Sequence, residues 1–424
     1  NGKKLSKTIE GSYTDSQSNL EGDIVTFMVE KEDSDKEEDS FDYSMDRSYD
    51  LYSVKGKKIK ELANDISSYI LSAEGNAIAY VDDEGTLYSL RVSSAKKEKV
   101  AEEVSGYAIS PNGKDIVYVV KDYEESTATV YLFDGSDKTK IGSNFETGTD
   151  VVGLSNGGKY VYINAEKDGE EAFYVYSHNG EEKTKLSDKS LSMAFFNHDN
   201  TQLMYSSDGK TYITEKGKEG VKVSSVELTP ILPSGVGFTF PSIGLKDFYN
   251  GVFSGDGNVY YLNKKGECGK LASDATNRLI SEDGKSVYYI KDNDVYVVKA
   301  KMNAEPKKLL TDVTSFQLTP DDDKIYFMKD KDLYCYFGGS KVKQVKVDVS
   351  DYEVSCEGIC FFTCDDELFV CKNGKKSKKI DSDVDDFYCT DNSVVYKTLS
   401  DGTRCIYMSD GDAKFKEIAK YDEK

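Results

Sequence analysis

One short phrase recurs along this chain and constrains its fold more than any other feature. An apolar residue is followed by Ser or Thr, then a small or acidic turn, usually with Gly, then an alternating aromatic strand. Copies begin at Leu71-Ser72-Ala73-Glu74-Gly75, Ile109-Ser110-Pro111-Asn112-Gly113 and Leu154-Ser155-Asn156-Gly157-Gly158. Others begin at Ile280-Ser281-Glu282-Asp283-Gly284, Leu318-Thr319-Pro320-Asp321-Asp322 and Val354-Ser355-Cys356-Glu357-Gly358. A period of roughly 40 residues is that of four-stranded repeat units stacked in series.

Each period divides into four short strands. In the stretch 280–313, one strand ends at Ile280 and Glu282-Asp283-Gly284 turns. Ser286–Ile290 and Val295–Val298 follow on either side of Asp292-Asn293-Asp294, and Lys307–Leu310 closes the unit. The runs are β-branched and aromatic, bounded by turn formers, as strands joined by tight hairpins are. No stretch carries a 3.6-residue period, so helices are expected to be scarce. By this count ten units begin near residues 5, 66, 104, 148, 190, 228, 276, 314, 351 and 383. The fold class expected is all-β, a propeller of about ten four-stranded blades, over residues 1–424. The blades would form one large ring or two smaller tandem rings. In the second arrangement 1–227 and 246–424 are five-bladed halves and 228–245 is the linker.

Two insertions stand out. Residues 31–48 run Lys31-Glu32-Asp33-Ser34-Asp35-Lys36-Glu37-Glu38-Asp39-Ser40 and onward, acidic at their start, and read as a mobile loop. Residues 229–245 hold three of the six prolines, Pro230, Pro233 and Pro241, with Val236, Phe238, Phe240 and Ile243.

The phrase Ile109-Ser110-Pro111-Asn112-Gly113-Lys114 with Ile116-Val117-Tyr118-Val119 resembles the TolB-like (PD40, WD40-like) β-propeller repeat. Ile280 to Val298 and Leu318 to Tyr334 look similar, although Pro is usually missing from the turn and the Trp-Asp pair of true WD40 repeats is absent. The resemblance implies a fold and a display scaffold, with no catalytic residue carried over. It also implies a bacterial protein outside the cytoplasm, secreted or anchored at the cell surface. The opening Asn1-Gly2-Lys3-Lys4 lacks Met, which fits an anchor or leader before residue 1.

Charge narrows the partners. The chain has 55 basic and 76 acidic residues, net −21. Such a balance disfavours nucleic acid and anionic membrane, and no apolar run approaches the ~20 residues of a membrane span. Lysines cluster on the fourth strands, at Lys57-Lys58, Lys96-Lys97, Lys307-Lys308 and Lys378-Lys379, where they would block edge-to-edge pairing. Acids concentrate in the turns between second and third strands. These are Asp82 and Asp83; Asp122, Glu124 and Glu125; Asp168; Asp292 and Asp294; Asp330 and Asp332; Asp365 and Asp366. Asp381, Asp383, Asp385 and Asp386 add to them from the links between a fourth strand and the next first strand, which in a propeller lie on the same face. Turn chemistry alone accounts for any one of these loops. Their repetition on one face would attract a cationic ligand or a basic protein. No cofactor is expected. Calcium is a weak candidate for the turns, since none has EF-hand spacing.

Catalytic signatures are sparse. Gly153-Leu154-Ser155-Asn156-Gly157 matches a nucleophile-elbow pattern, but a strand follows where a helix is required. The two histidines, His178 and His198, both look like turn residues. The eight cysteines all follow residue 267 and contain no C-x-x-C pair. If Asp365-Asp366 is a hairpin turn, Cys360 faces Cys371 and a cross-strand disulfide becomes a candidate. The reading reached is a binding scaffold without catalysis, with an acidic face. Its alternatives are a glycan-processing hydrolase or lyase using acids near the propeller axis, and a regulatory propeller for a separate catalytic domain.

Overall fold

The computed structural model describes residues 13–30, 48–55, 58–233, 238–239, 242–321, 323–355, 357–389, 393–400, 403–410 and 415–422. Among them there is no α-helix; apart from a 3-10 turn at Asn156–Gly158, every element is a strand. Residues 31–47 of the acidic insertion lie outside the described residues, as does Cys356.

The strands form antiparallel meanders. The stretch read as 280–313 is the sheet Thr276–Ile280, Ser286–Lys291, Asp294–Lys299 and Lys307–Leu310, paired in that order. Equivalent four-stranded sheets run from Val104 to Glu146, Asp150 to Ser187, Thr229 to Ala272, Ser315 to Lys346, Asp351 to Asp381 and Val384 to Asp422. The sheet beginning at Met193–Phe196 has six strands, and one sheet at the start has seven. The seven-stranded sheet arises because one 14-residue strand, Lys58–Leu71, serves two meanders. Its first part pairs with Tyr49–Lys55, its last with Ala77–Asp82, and Ile66 is partnered on both sides.

The chain divides into two compact units. One comprises Leu5–Leu228 with Val236–Phe248; the other comprises Asn1–Lys4, Thr229–Gly235 and Tyr249–Lys424. The proline-bearing insertion is therefore shared out. Ser242–Ile243 returns to the first unit and pairs in parallel with Met193–Phe196, through Phe196 and Ser242. Gln202 fastens it: its Oε1 accepts from the Phe248 N–H at 2.9 Å and its Nε2 donates to Asp247 at 3.0 Å.

Within each unit the core lies between successive sheets. Val117, Val119 and Val130 pack against Val161 and Ile163 of the next sheet. Ile290 and Val295 meet Phe316, Ile325 and Phe327. A fully buried side chain of this size contributes about 1.5–3 kcal/mol, so stacking the sheets is the main source of stability.

Three repeated devices tie the repeat phrase to this packing. First, the recurring Ser or Thr is buried, and its hydroxyl accepts a backbone N–H at the start of the next strand. Ser72 accepts from Ala77 at 3.1 Å, Ser110 from Asp115 at 3.0 Å, Ser281 from Ser286 at 2.8 Å and Thr319 from Lys324 at 3.2 Å. Asn19 and Asn197 hold the same position with a side-chain carbonyl, accepting from Ile24 at 3.0 Å and Gln202 at 2.9 Å. Second, aromatic residues opposite each other on the second and third strands stack, as in Tyr80–Tyr88, Tyr118–Tyr131, Tyr205–Tyr212 and Tyr289–Tyr296. Fourth-strand lysines cover the third-strand ring: Lys97 on Tyr88 at 5.1 Å, Lys183 on Tyr174 at 5.2 Å and Lys308 on Tyr296 at 5.8 Å. Such contacts add about 0.5–1 kcal/mol each at exposed sites. Third, first strands are linked by side chains. Gln17 donates to the Tyr69 carbonyl and accepts from Leu71 N–H, both at 2.9 Å. Gln317 does the same with Tyr352 at 3.2 Å and Val354 at 2.7 Å.

Candidate functional site

The acidic turns owe their composition first to backbone geometry. A two-residue hairpin loop that matches the strand twist needs positive φ at both central residues. Asp292 and Asn293 have φ of 51° and 60°, Asp365 and Asp366 of 51° and 57°, and Asp168 and Gly169 of 55° and 73°. Asp and Asn tolerate that region better than other side chains do. In the longer turns a carboxylate closes the loop on itself. Asp82 Oδ1 accepts from Glu84 N–H at 3.2 Å and Thr86 N–H at 2.8 Å; Asp122 Oδ1 accepts from Glu124 and Glu125 N–H, both at 3.0 Å.

Once the turn is made, most of these acids still face solvent. Asp83, Asp122, Glu124, Glu125, Asp168, Asp292, Asp330, Asp365 and Asp366 are exposed, and Asp82, Asp294 and Asp332 are half-buried. Asp294 pairs with Lys308, and Asp332 accepts from Gln344 Nε2 at 2.6 Å. Asp82, Asp83, Asp122, Glu124, Glu125 and Asp168 belong to the unit that contains Leu5–Leu228. Asp292, Asp294, Asp330, Asp332, Asp365 and Asp366 belong to the other. Each unit thus carries its own set of acidic turns. Among the described residues, no three His, Cys, Asp or Glu side chains are grouped so as to hold a metal ion.

The elbow-like motif is explained by packing. Ser155 Oγ accepts from Tyr160 N–H at 3.0 Å, the same lock as in the other repeats. A Cβ on Gly153 would sit 2.6 Å from the Phe196 ring. The His178 N–H donates to the Lys159 carbonyl at 3.0 Å, and the His198 N–H to the Leu245 carbonyl at 2.7 Å, both as turn residues. The strand register sets Cys360 opposite Cys371, with Cys364 opposite Glu367 across the Asp365-Asp366 turn. Cys360 and Cys371 are buried free thiols. Beside them, burial pushes the Cys335 thiol up to about 12 and raises Cys360 well above the ordinary thiol range. Thiols so protonated are poor nucleophiles.

One feature had no sequence signal because four separate segments build it. A groove of about 410 Å³ lies in the unit containing Tyr249–Lys424, lined by Lys270 and Ser273, by Tyr289 and Lys291, and by Tyr296 and Pro306.

No family model and no curated protein sequence matches the chain. It is similar to solved structures at low identity. The tricorn protease matches with a TM-score of 0.35 and 12% identity, covering 98% of this chain and 55% of that one. An oligogalacturonate lyase in complex with manganese matches at 0.35 and 14%, covering 77% and 90%. The Pyrococcus horikoshii acylaminoacyl peptidase matches at 0.36 and 11%, covering 92% and 58%. These proteins contain β-propeller domains. The chain spans about half the length of the tricorn protease and of the peptidase. The expectation that the chain is not an enzyme is corrected by these matches: the similar structures are a lyase and peptidases. At such identities and scores they transfer no activity.

Proposed function

We propose that the chain is a β-propeller-type scaffold whose acidic turns engage a basic protein or a cationic ligand. The carrying observation is the recurrence of exposed carboxylates at one structural position, the turn between second and third strands, in both units. Twist-matched turns need Asp, Asn or Gly, and Gly or Asn would serve sterically without charge. The choice of Asp over neutral residues at Asp168, Asp292, Asp330, Asp365 and Asp366 supports a role for the charge. Net −21 adds a long-range field that speeds the approach of cations. Placement outside the cytoplasm remains part of this proposal and rests on the TolB-like resemblance.

The test is binding of spermine and of a polylysine peptide, followed by calorimetry at two salt concentrations. Affinity should fall steeply with salt. The set Asp292→Asn, Asp330→Asn and Asp365→Asn keeps positive-φ tolerance and should weaken binding several-fold. Equal binding by this variant and the parent would refute a role for the turns.

A further inference from the structure

We infer that the groove of about 410 Å³ is a binding site for a small, hydroxyl-bearing oxyanion of sugar size, carrying phosphate or carboxylate. Small-molecule pockets have volumes of ~300–1,000 Å³, and this one falls inside that range. Its lining is rich in donors and holds no carboxylate. Lys270, Lys291, Ser273, Tyr289 and Tyr296 bring ammonium and hydroxyl side chains to the lining, beside Leu271, Ala272 and Pro306. In a chain with 76 acidic residues, none lines the groove, and Asp274 comes near it through its contact with Lys291.

The tyrosines are fixed, so they serve as donors at set positions. Their rings stack on each other with centroids 5.6 Å apart, and Lys308 caps Tyr296 at 5.8 Å. Both contacts hold the Tyr296 ring in place beside the groove. Tyr289 is only 2% exposed, and what remains open of it lines the groove. Its hydroxyl is pushed up to about 12 by burial. Lys270 lies 5.9 Å from the Tyr260 ring, and Lys291 reaches Asp274 at 3.5 Å, a long contact that an incoming oxyanion would outcompete. Pro306 adds a conformationally restricted residue to the lining.

This site takes charge opposite to that bound by the acidic turns, so the two proposals fail separately. The experiment is calorimetric titration of the full chain with inorganic phosphate, glucose 6-phosphate, glucuronate and neutral glucose. Saturable binding of glucose 6-phosphate or glucuronate, but not of glucose, is expected. The first without the second identifies phosphate as the group recognised; the reverse identifies carboxylate. Lys270→Gln and Lys291→Gln should each weaken binding about tenfold, the loss of one charge-assisted hydrogen bond. Lys270→Arg should retain much of it, and Lys97→Gln, in the other unit, should change nothing. Circular dichroism checks that each variant is folded. No saturable binding by any of the anions, or equal binding by the Gln variants, would overturn the inference.

Discussion

In most of the repeats a single side-chain oxygen organises the turn that opens the second strand. The atom sits on Ser72, Ser110, Ser155, Ser281 or Thr319, and on Asn19 or Asn197 where the hydroxyl is replaced. Ser281→Ala leaves the Ser286 N–H buried without an acceptor and should cost about 1–3 kcal/mol, read as a lower urea midpoint at unchanged slope. Ser281→Asn should cost less, because the chain already uses that exchange elsewhere. The phrase was readable in sequence where the hydroxyl persisted. The copies at Asn19 and Asn197 escape the phrase, because Asn delivers the same oxygen under a different letter. A second residue-scale expectation concerns pH. Lys189 and Lys210, at 2.9 and 3.0 Å, hold the Asp208 carboxyl down at about 2, against 3.8 in the unfolded chain. The folded state therefore binds its proton less readily. The stabilisation is complete above the unfolded value and is lost as pH falls through about 2. Acid unfolding of Asp208→Asn should accordingly start from lower stability at neutral pH and change less between pH 4 and 2.

Between elements, the links among first strands were invisible in the sequence, since a lone Gln in a strand has no local signature. Gln17 and Gln317 each present a donor and an acceptor to a neighbouring strand. Glu353 occupies the equivalent place and accepts from the Cys389 N–H at 2.6 Å, but a carboxylate cannot also donate. Glu353→Gln should supply that donor toward the Phe387 carbonyl and raise stability by about 0.5–1.5 kcal/mol, measured by denaturant unfolding. No change would show that the second bond does not form. Lysine on the fourth strands was legible as edge protection. That it also caps stacked rings was not, because the ring lies on another strand of the sheet.

For the molecule as a whole, the period fixed the all-β meander and the boundaries of most strands. It could not reveal that residues after 235 turn back to the first unit. The pairing of Phe196 with Ser242 spans a distance in sequence at which no periodicity reports. Gln202→Leu removes the acceptor of the Phe248 N–H and the donor to Asp247. Amide hydrogen exchange should then quicken at residues 242–248 while protection at 276–310 stays as it was. Uniform loss across both stretches would contradict a local role for the returning segment.

The strand Lys58–Leu71 belongs to two meanders at once. A proteolytic cut in an ordinary hairpin turn leaves every strand in place, still held by its neighbours. A cut inside this strand takes an edge from one meander and an edge from the next, so a single nick damages two sheets together.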